Sequence, residues 1–192
     1  MTREMWDLEA EAFDEEPDHG LADPAVREAW RELLLGVLPA APARVVDLGC
    51  GTGTLTRLLV DEGYDVDGLD YSPEMIRRAR AKVPEATFVE GDAARPDLER
   101  GGYDVVLCRH VLWAMSNPVA AFDRWVDLVG PPGVVVLVEG SWSTGAGLTA
   151  EEAEEIVRTR LDDVVVRPLP EARYWGREIS DERYLVAARV SG

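Results

Sequence analysis

Val45-Val46-Asp47-Leu48-Gly49-Cys50-Gly51-Thr52-Gly53 is the stretch on which the fold of this chain turns. A β-branched run reaches an acid, breaks into glycines at alternate positions, and gives way to Leu55, Leu58 and Leu59 at helical spacing. Strand, glycine turn and helix in that order put backbone without Cβ atoms at the strand's end, beside the free N–H groups that open a helix. An ordinary tight turn needs one such glycine; Gly49, Gly51 and Gly53 together read as a loop on which a cofactor lies. Two phosphate patterns fail here. A GxGxxG fingerprint counted from Gly49 needs glycine at 54, where Thr54 stands, and a phosphate-cradling loop needs Gly-Lys, whereas the single lysine is Lys82.

Outward from that stretch, short β-branched runs at 45–48, 65–69, 87–90, 104–108, 134–139, 164–167 and 183–190 read as strands. Helical periods fit between most of them, around Leu58, Ile76, Phe122-Trp125-Val129 and Ala153-Val157. This rhythm predicts an α/β fold, a doubly wound and mostly parallel seven-stranded sheet covered by helices on both faces. Residues 168–181 are too irregular for a crossover helix, so the last strand is expected to run antiparallel at the sheet edge. Before residue 44 there is no strand signal. Trp6, Ala10 and Phe13 suggest one helix, and Val26 to Val37 a second, with Asp23 as its cap and Pro24 at its first position. The charged stretch 14–20 between them reads as a solvated loop. We therefore expect a helical lid at 1–43 on a core at 44–192, one domain overall.

Composition narrows the partners. The 192 residues carry 20 basic against 37 acidic side chains, a net charge of -17, which repels nucleic acid and anionic membranes. No apolar run approaches the roughly 20 residues needed to cross a bilayer. The beginning of the sequence lacks a signal-peptide pattern, and two cysteines, Cys50 and Cys108, make no disulfide framework, so a cytoplasmic location is expected. Arginine supplies 19 of the 20 basic residues, a bias that suggests a high-GC bacterial source.

The strand ends after the glycine loop carry further acids. Asp70 lies 21 positions beyond Gly49, where a carboxylate accepts both hydroxyls of a ribose, and Asp92 follows the third strand, able to take the amino group of adenine. Glycines without phosphate chemistry, a ribose acid and an adenine acid suit S-adenosylmethionine. Here the chain resembles the class I S-adenosylmethionine-dependent methyltransferases of small-molecule type. The likeness is carried by the 45–53 stretch, Gly68-Leu69-Asp70-Tyr71-Ser72-Pro73-Glu74-Met75, Gly91-Asp92-Ala93, Tyr103-Asp104-Val105-Val106 and Pro132-Gly133. It implies a Rossmann-like methyltransferase fold in which Gly49 and its neighbours Cys50, Gly51 and Gly53 hold the methionine part. Asp47 would order the loop and the cofactor amino group, Asp70 the ribose, Tyr71 the adenine face, and Asp92 with Ala93 the adenine edge. Met75 and Arg109 are counted with the cofactor residues, and S-adenosylhomocysteine would be the product.

Catalytic candidates are His110, directly after the fourth strand, and His19 in the lid, since a histidine pKa needs little tuning to take a proton from a hydroxyl or amine. Trp6, Phe13, Trp113 and Trp142 are candidates for the acceptor pocket, with Trp175 between the last strands as a further one. Two histidines and two cysteines without metal-ligand company predict no metal. The short non-core segment implies a small-molecule acceptor methylated on O or N, in a setting such as bacterial secondary metabolism, by a monomer or homodimer. The acidic surface field favours a neutral or cationic acceptor. The competing readings are a catalytically inactive cofactor-binding scaffold and an NAD-dependent oxidoreductase, the latter opposed by Thr54.

Overall fold

The structure, a computed structural model, describes residues 2–191. The chain opens with α1 (Arg3–Glu9), a 3-10 turn (Phe13–Glu15), α2 (Pro17–Gly20) and α3 (Pro24–Leu35). Then come β1 (Arg44–Leu48), α4 (Thr54–Asp61), β2 (Asp65–Asp70), α5 (Pro73–Lys82), β3 (Thr87–Glu90) and β4 (Tyr103–Arg109). A second 3-10 turn (Leu112–Ala114) leads to α6 (Pro118–Val126), β5 (Val129–Ser141) and α7 (Ala150–Arg158). The chain closes with β6 (Val164–Pro168), α8 (Ala172–Trp175) and β7 (Glu182–Val190).

The strands form one sheet in the order β3-β2-β1-β4-β5-β7-β6. β1 to β5 pair in parallel, and β7 runs antiparallel to both β5 and β6. This is the doubly wound, Rossmann-like plan with an antiparallel last strand. Alternate residues of the central strands feed two cores, as a strand's period of two requires. Val45, Val105 and Val136 join Trp30 and Leu33 of α3 and Leu58 of α4. Val46, Val106 and Leu137 join Phe122 and Trp125 of α6 and Val157 of α7. Chain direction across the sheet reverses between β1 and β4, which opens a crevice at their carboxyl ends.

Helix starts follow the sequence signals. The Asp23 side chain accepts from the Ala25 N–H at 2.7 Å with Pro24 at the first position, and Ser72 caps α5 by accepting from Met75 N at 3.1 Å.

Other local expectations are corrected. The first helix ends at Glu9, leaving Phe13 in the 3-10 turn. Residues 14–20 are not a loop throughout, because Pro17, with φ pre-set for a helix, starts the single turn of α2. Val129 begins β5 rather than ending α6: it pairs with Tyr103, and Gly130-Pro131-Pro132-Gly133 fills the register shift that follows. Residues 168–181 do hold one short helix, α8. It buries Trp175 against Trp30, ring centroids 5.6 Å apart and edge to face, so Trp175 is a core residue. Within 1–43, α3 is a core layer through Trp30, Leu33 and Leu34, and the part lying over the crevice is 3–20.

Candidate active site

A cavity of about 750 Å³ occupies the crevice. Its floor is the glycine loop, where Gly49 N and Cys50 N donate to Leu69 O at 2.7 and 3.0 Å. Gly49 has φ +72°, and a Cβ there would lie 2.3 Å from Val111 Cγ2, so only glycine serves. Gly51, at φ +54°, faces the Phe13 ring, which a Cβ would meet at 3.3 Å. Gly53 caps the start of α4 and lets Ala79 of α5 approach, so that a Cβ there would lie 3.1 Å from the Ala79 Cβ.

Three acids line the cavity on this side. Asp47 is buried at the end of β1, where Oδ2 accepts from Thr56 Oγ1 at 2.8 Å and burial lifts its pKa to about 6. Asp70 accepts from Gly51 N through Oδ2 and from Ser72 N through Oδ1, both at 2.8 Å, and burial again raises its pKa. An ionised carboxylate has about four lone-pair sites, so two stay open after those bonds. Asp92 is exposed and turns Oδ1 to its own loop at Ala94 N, 2.8 Å away. Beside it, Ala93 O accepts from the Trp125 indole at 2.7 Å. Tyr71 and Met75 complete this wall.

The opposite wall rises from β4, β5 and β7. His110 follows β4 in the left-handed region, φ 59°, a conformation disfavoured for a residue with a Cβ. Its ring meets the Trp142 ring at 5.2 Å, Trp142 meets Trp113 at 5.3 Å, and all three line the cavity with Arg109 and Arg183. The His110 pKa is not near neutral as expected. Burial pushes it well down, and the Arg109 and Arg183 charges add to the effect, so the imidazole is neutral at physiological pH. Its Nδ1 is buried without a hydrogen-bond partner.

The loop carrying His110 and Trp113 rests on a residue that the sequence reading missed. Glu139, fully buried on β5, accepts from Val111 N at 3.0 Å and Leu112 N at 2.7 Å through Oε1. Burial raises its pKa to about 8, and its Oε2 makes no hydrogen bond.

Residues 3–20, the segment expected to form a lid, cross above both walls. Trp6, Phe13 and His19 line the cavity, with the Phe13 and His19 rings stacked at 4.3 Å. Polar bonds tie the lid to the cofactor wall. Asp7 accepts from Ser72 Oγ at 2.5 Å, and Arg3 pairs with Glu90 at 2.9 Å while lying over the Tyr71 ring. Asp14 takes Lys82 Nζ at 2.7 Å and Thr52 Oγ1 at 2.5 Å, and Lys82 also donates to Thr52 and Thr54 at 2.9 Å. Burial would raise the Asp14 pKa, but hydrogen bonds from Lys82 and Thr52 outweigh it and hold the carboxyl below its ordinary value. Asp14 is thus a latch, not part of a solvated run. A lone lysine in an arginine-rich chain was the one signal that could have pointed to it.

Cys50 lines the cavity from within the cluster of Ile76, Ala79 and Phe88, while Cys108 is sealed beneath the Glu139 carboxylate. Both are free thiols whose pKa burial pushes up. Among the described residues no group of three or more His, Cys, Asp or Glu side chains could hold a metal ion, and no helix is long and apolar enough to cross a membrane.

Residues 45–133 match the family model described as a methyltransferase domain. A demethylmenaquinone methyltransferase of Beutenbergia cavernae is 36% identical over 113 residues, which are 58% of this chain and 47% of that protein. An uncharacterised methyltransferase of Mycobacterium tuberculosis is 33% identical over 151 residues, 78% of this chain and 62% of the other. The chain therefore matches less than two thirds of the length of either relative. Among solved structures, an S-adenosylmethionine-dependent methyltransferase from Mesorhizobium loti shares the fold, with a TM-score of 0.70 at 20% identity over 85% of this chain and 100% of that one. With the glycine loop, the strand-end acids and the sheet order in place, residues 45–133 are identified as a methyltransferase domain, and the chain shares the fold of solved S-adenosylmethionine-dependent methyltransferases.

Proposed function

We propose that this chain moves a methyl group from S-adenosylmethionine to an oxygen or nitrogen atom of a small molecule held in the same cavity. The observation that carries this reading is the continuity of the cavity, which runs from the glycine loop and Asp70 past Arg109 to His110 and the tryptophans. The donor set suits such a cofactor. Gly49 and Gly51 line the cavity floor with backbone alone, Asp47 offers a carboxylate to a cationic amino group, and Asp70 keeps acceptor capacity for hydroxyls beyond its bonds to Gly51 N and Ser72 N. Asp92 and the Ala93 backbone would read the adenine edge, and the exposed Tyr71 ring its face.

When bound, S-adenosylmethionine supplies an electrophilic methyl and a neutral leaving group, so the hard chemistry is the cofactor's own. The chain's residues orient and desolvate. Trp113 and Trp142 give the acceptor a flat apolar wall, and the latched lid excludes water, effects worth up to roughly 7 to 11 kcal/mol when the geometry is right. His110, kept neutral, offers a ring nitrogen that accepts a hydrogen bond from the hydroxyl or amine of an acceptor and orients its lone pair toward the methyl; His19 approaches from the lid. Acceptors that are already anions need neither. A small-molecule acceptor fits a cavity of about 750 Å³ beneath a short lid, and the demethylmenaquinone methyltransferase relative is named for one.

Calorimetric titration with S-adenosylmethionine and S-adenosylhomocysteine, with NADH as control, tests the cofactor. Micromolar affinity for the first two and none for NADH is the expected result, whereas a folded protein that binds neither sinks the reading. Turnover on small phenols, amines and acids then separates an enzyme from an inert scaffold. His110→Ala should lower that turnover while leaving cofactor affinity nearly intact.

A further inference from the structure

We infer that the acceptor carries a carboxylate on a flat unsaturated body and that Arg183 receives it; this deepens the methyl-transfer reading above and rests on it. The sheet order lays the cavity's charges out in a line. Asp92, Asp70 and Asp47 end or follow β3, β2 and β1, and past the glycine loop the cavity gains guanidinium groups, with Arg109 ending β4 and Arg183, paired with the lining Asp181, opening β7. The acidic half suits a cationic cofactor. The guanidinium half suits an anion beside it.

Arg183 is built into this wall. Its side chain is only 9% exposed, and its guanidinium lies 4.9 Å from the Trp142 ring centre and 5.6 Å from that of Trp175. Nη1 donates to Glu182 O at 3.1 Å and Nη2 to Asp181 Oδ2 at 3.2 Å. Asp181 is itself held, accepting from Ser143 N at 2.7 Å through Oδ1. The partner strand makes room: Gly140 faces Arg183 in the β5–β7 register, and a Cβ there would lie 2.7 Å from Arg183 Cδ. A guanidinium has five N–H donors, so three remain after these two bonds, available to the oxygens of a carboxylate. Clamped between rings and braced by an acid, it loses little freedom when a ligand arrives.

Trp142, packed on His110 and Trp113, supplies the flat face for the rest of such an acceptor. The net charge of -17 does not oppose this. Exposed charges more than about 8 Å away are screened at physiological ionic strength, while a cavity-wall guanidinium in contact is not. The cavity thus reverses the preference for neutral or cationic acceptors that the composition suggested.

Benzoate, benzamide and benzamidine share one planar shape and differ in charge. Each is titrated by calorimetry into the protein alone and into the protein saturated with S-adenosylhomocysteine, for wild type, R183Q and R183K. We expect benzoate to bind at least about tenfold more tightly than benzamide, R183Q to abolish that preference, and R183K to restore part of it. Affinity for S-adenosylhomocysteine and the circular dichroism spectrum report whether each variant is folded, and the wild-type preference needs no variant at all. Equal binding of the three ligands, no saturable benzoate binding, or a benzoate preference that survives in folded R183Q overturns the inference. Failure to bind S-adenosylhomocysteine falls on the methyl-transfer reading instead, and the titrations without it still decide the role of Arg183.

Discussion

Asp70 already braces the glycine loop through Gly51 N, so its replacement has two separable effects. Asp70→Ala should remove about 1.5 to 3 kcal/mol of charged hydrogen bonding to ribose hydroxyls, weakening S-adenosylmethionine by roughly 10- to 150-fold in calorimetry. Asp70→Asn keeps one acceptor and should fall between; wild-type affinity in both would remove Asp70 from the site. Glu139 makes a prediction about pH. Its folded pKa of about 8 lies above the ordinary 4.5, so between those values the folded chain binds more protons than the unfolded one, and stability falls as pH rises. The contribution is at most on the order of 5 kcal/mol. Thermal melts from pH 5 to pH 8 should lose more stability in wild type than in Glu139→Gln, which keeps the Oε1 acceptor and does not titrate; parallel curves would contradict this. The acids that line the cavity were legible because they sit in order at strand ends. Glu139 and Arg183 were not, since what matters in them is a contact across strands that alternation alone leaves unspecified.

The elements that pack a face on the sheet were readable in full, and the first helix only in its existence. α3, α4 and α6 repeat apolar residues at helical spacing and bury them, whereas α1 buries no residue and is held by polar bonds at Arg3 and Asp7. The spacing of Trp6, Ala10 and Phe13 marked that helix but not its end at Glu9. The latch between Asp14 and Lys82 is part-exposed, so its loss should cost only about 1 kcal/mol. That loss should appear in the lid's kinetics. Lys82→Met is expected to raise the dissociation rate of S-adenosylhomocysteine roughly fivefold in stopped-flow fluorescence, with association little changed. An unaltered dissociation rate would mean that the other ties suffice.

At the scale of the whole molecule, we propose one cooperative unit with a lid that opens below the global transition. Trp30, Trp125 and Trp175 are fully buried in the two cores, so tryptophan fluorescence and far-ultraviolet circular dichroism should follow a single denaturant transition. Amides of residues 3–20 should exchange faster than those of β1, β4 and β5; transitions that separate, or a lid as protected as the central strands, would oppose the proposal. Net charge sums the outer surface, while the cavity carries its own arrangement of acids and guanidinium groups. The lone lysine has one more consequence. With arginine everywhere else, Lys82 offers the sequence's only ε-amine, and in the closed lid that amine is engaged by Asp14, Thr52 and Thr54. Beyond the α-amine, an acylating reagent thus has a single amine target, part-exposed but tied up in bonds, which becomes nucleophilic as the latch opens. Its rate of labelling would clock that opening, and a surface bearing activated esters would seize the protein by its own latch and keep it ajar.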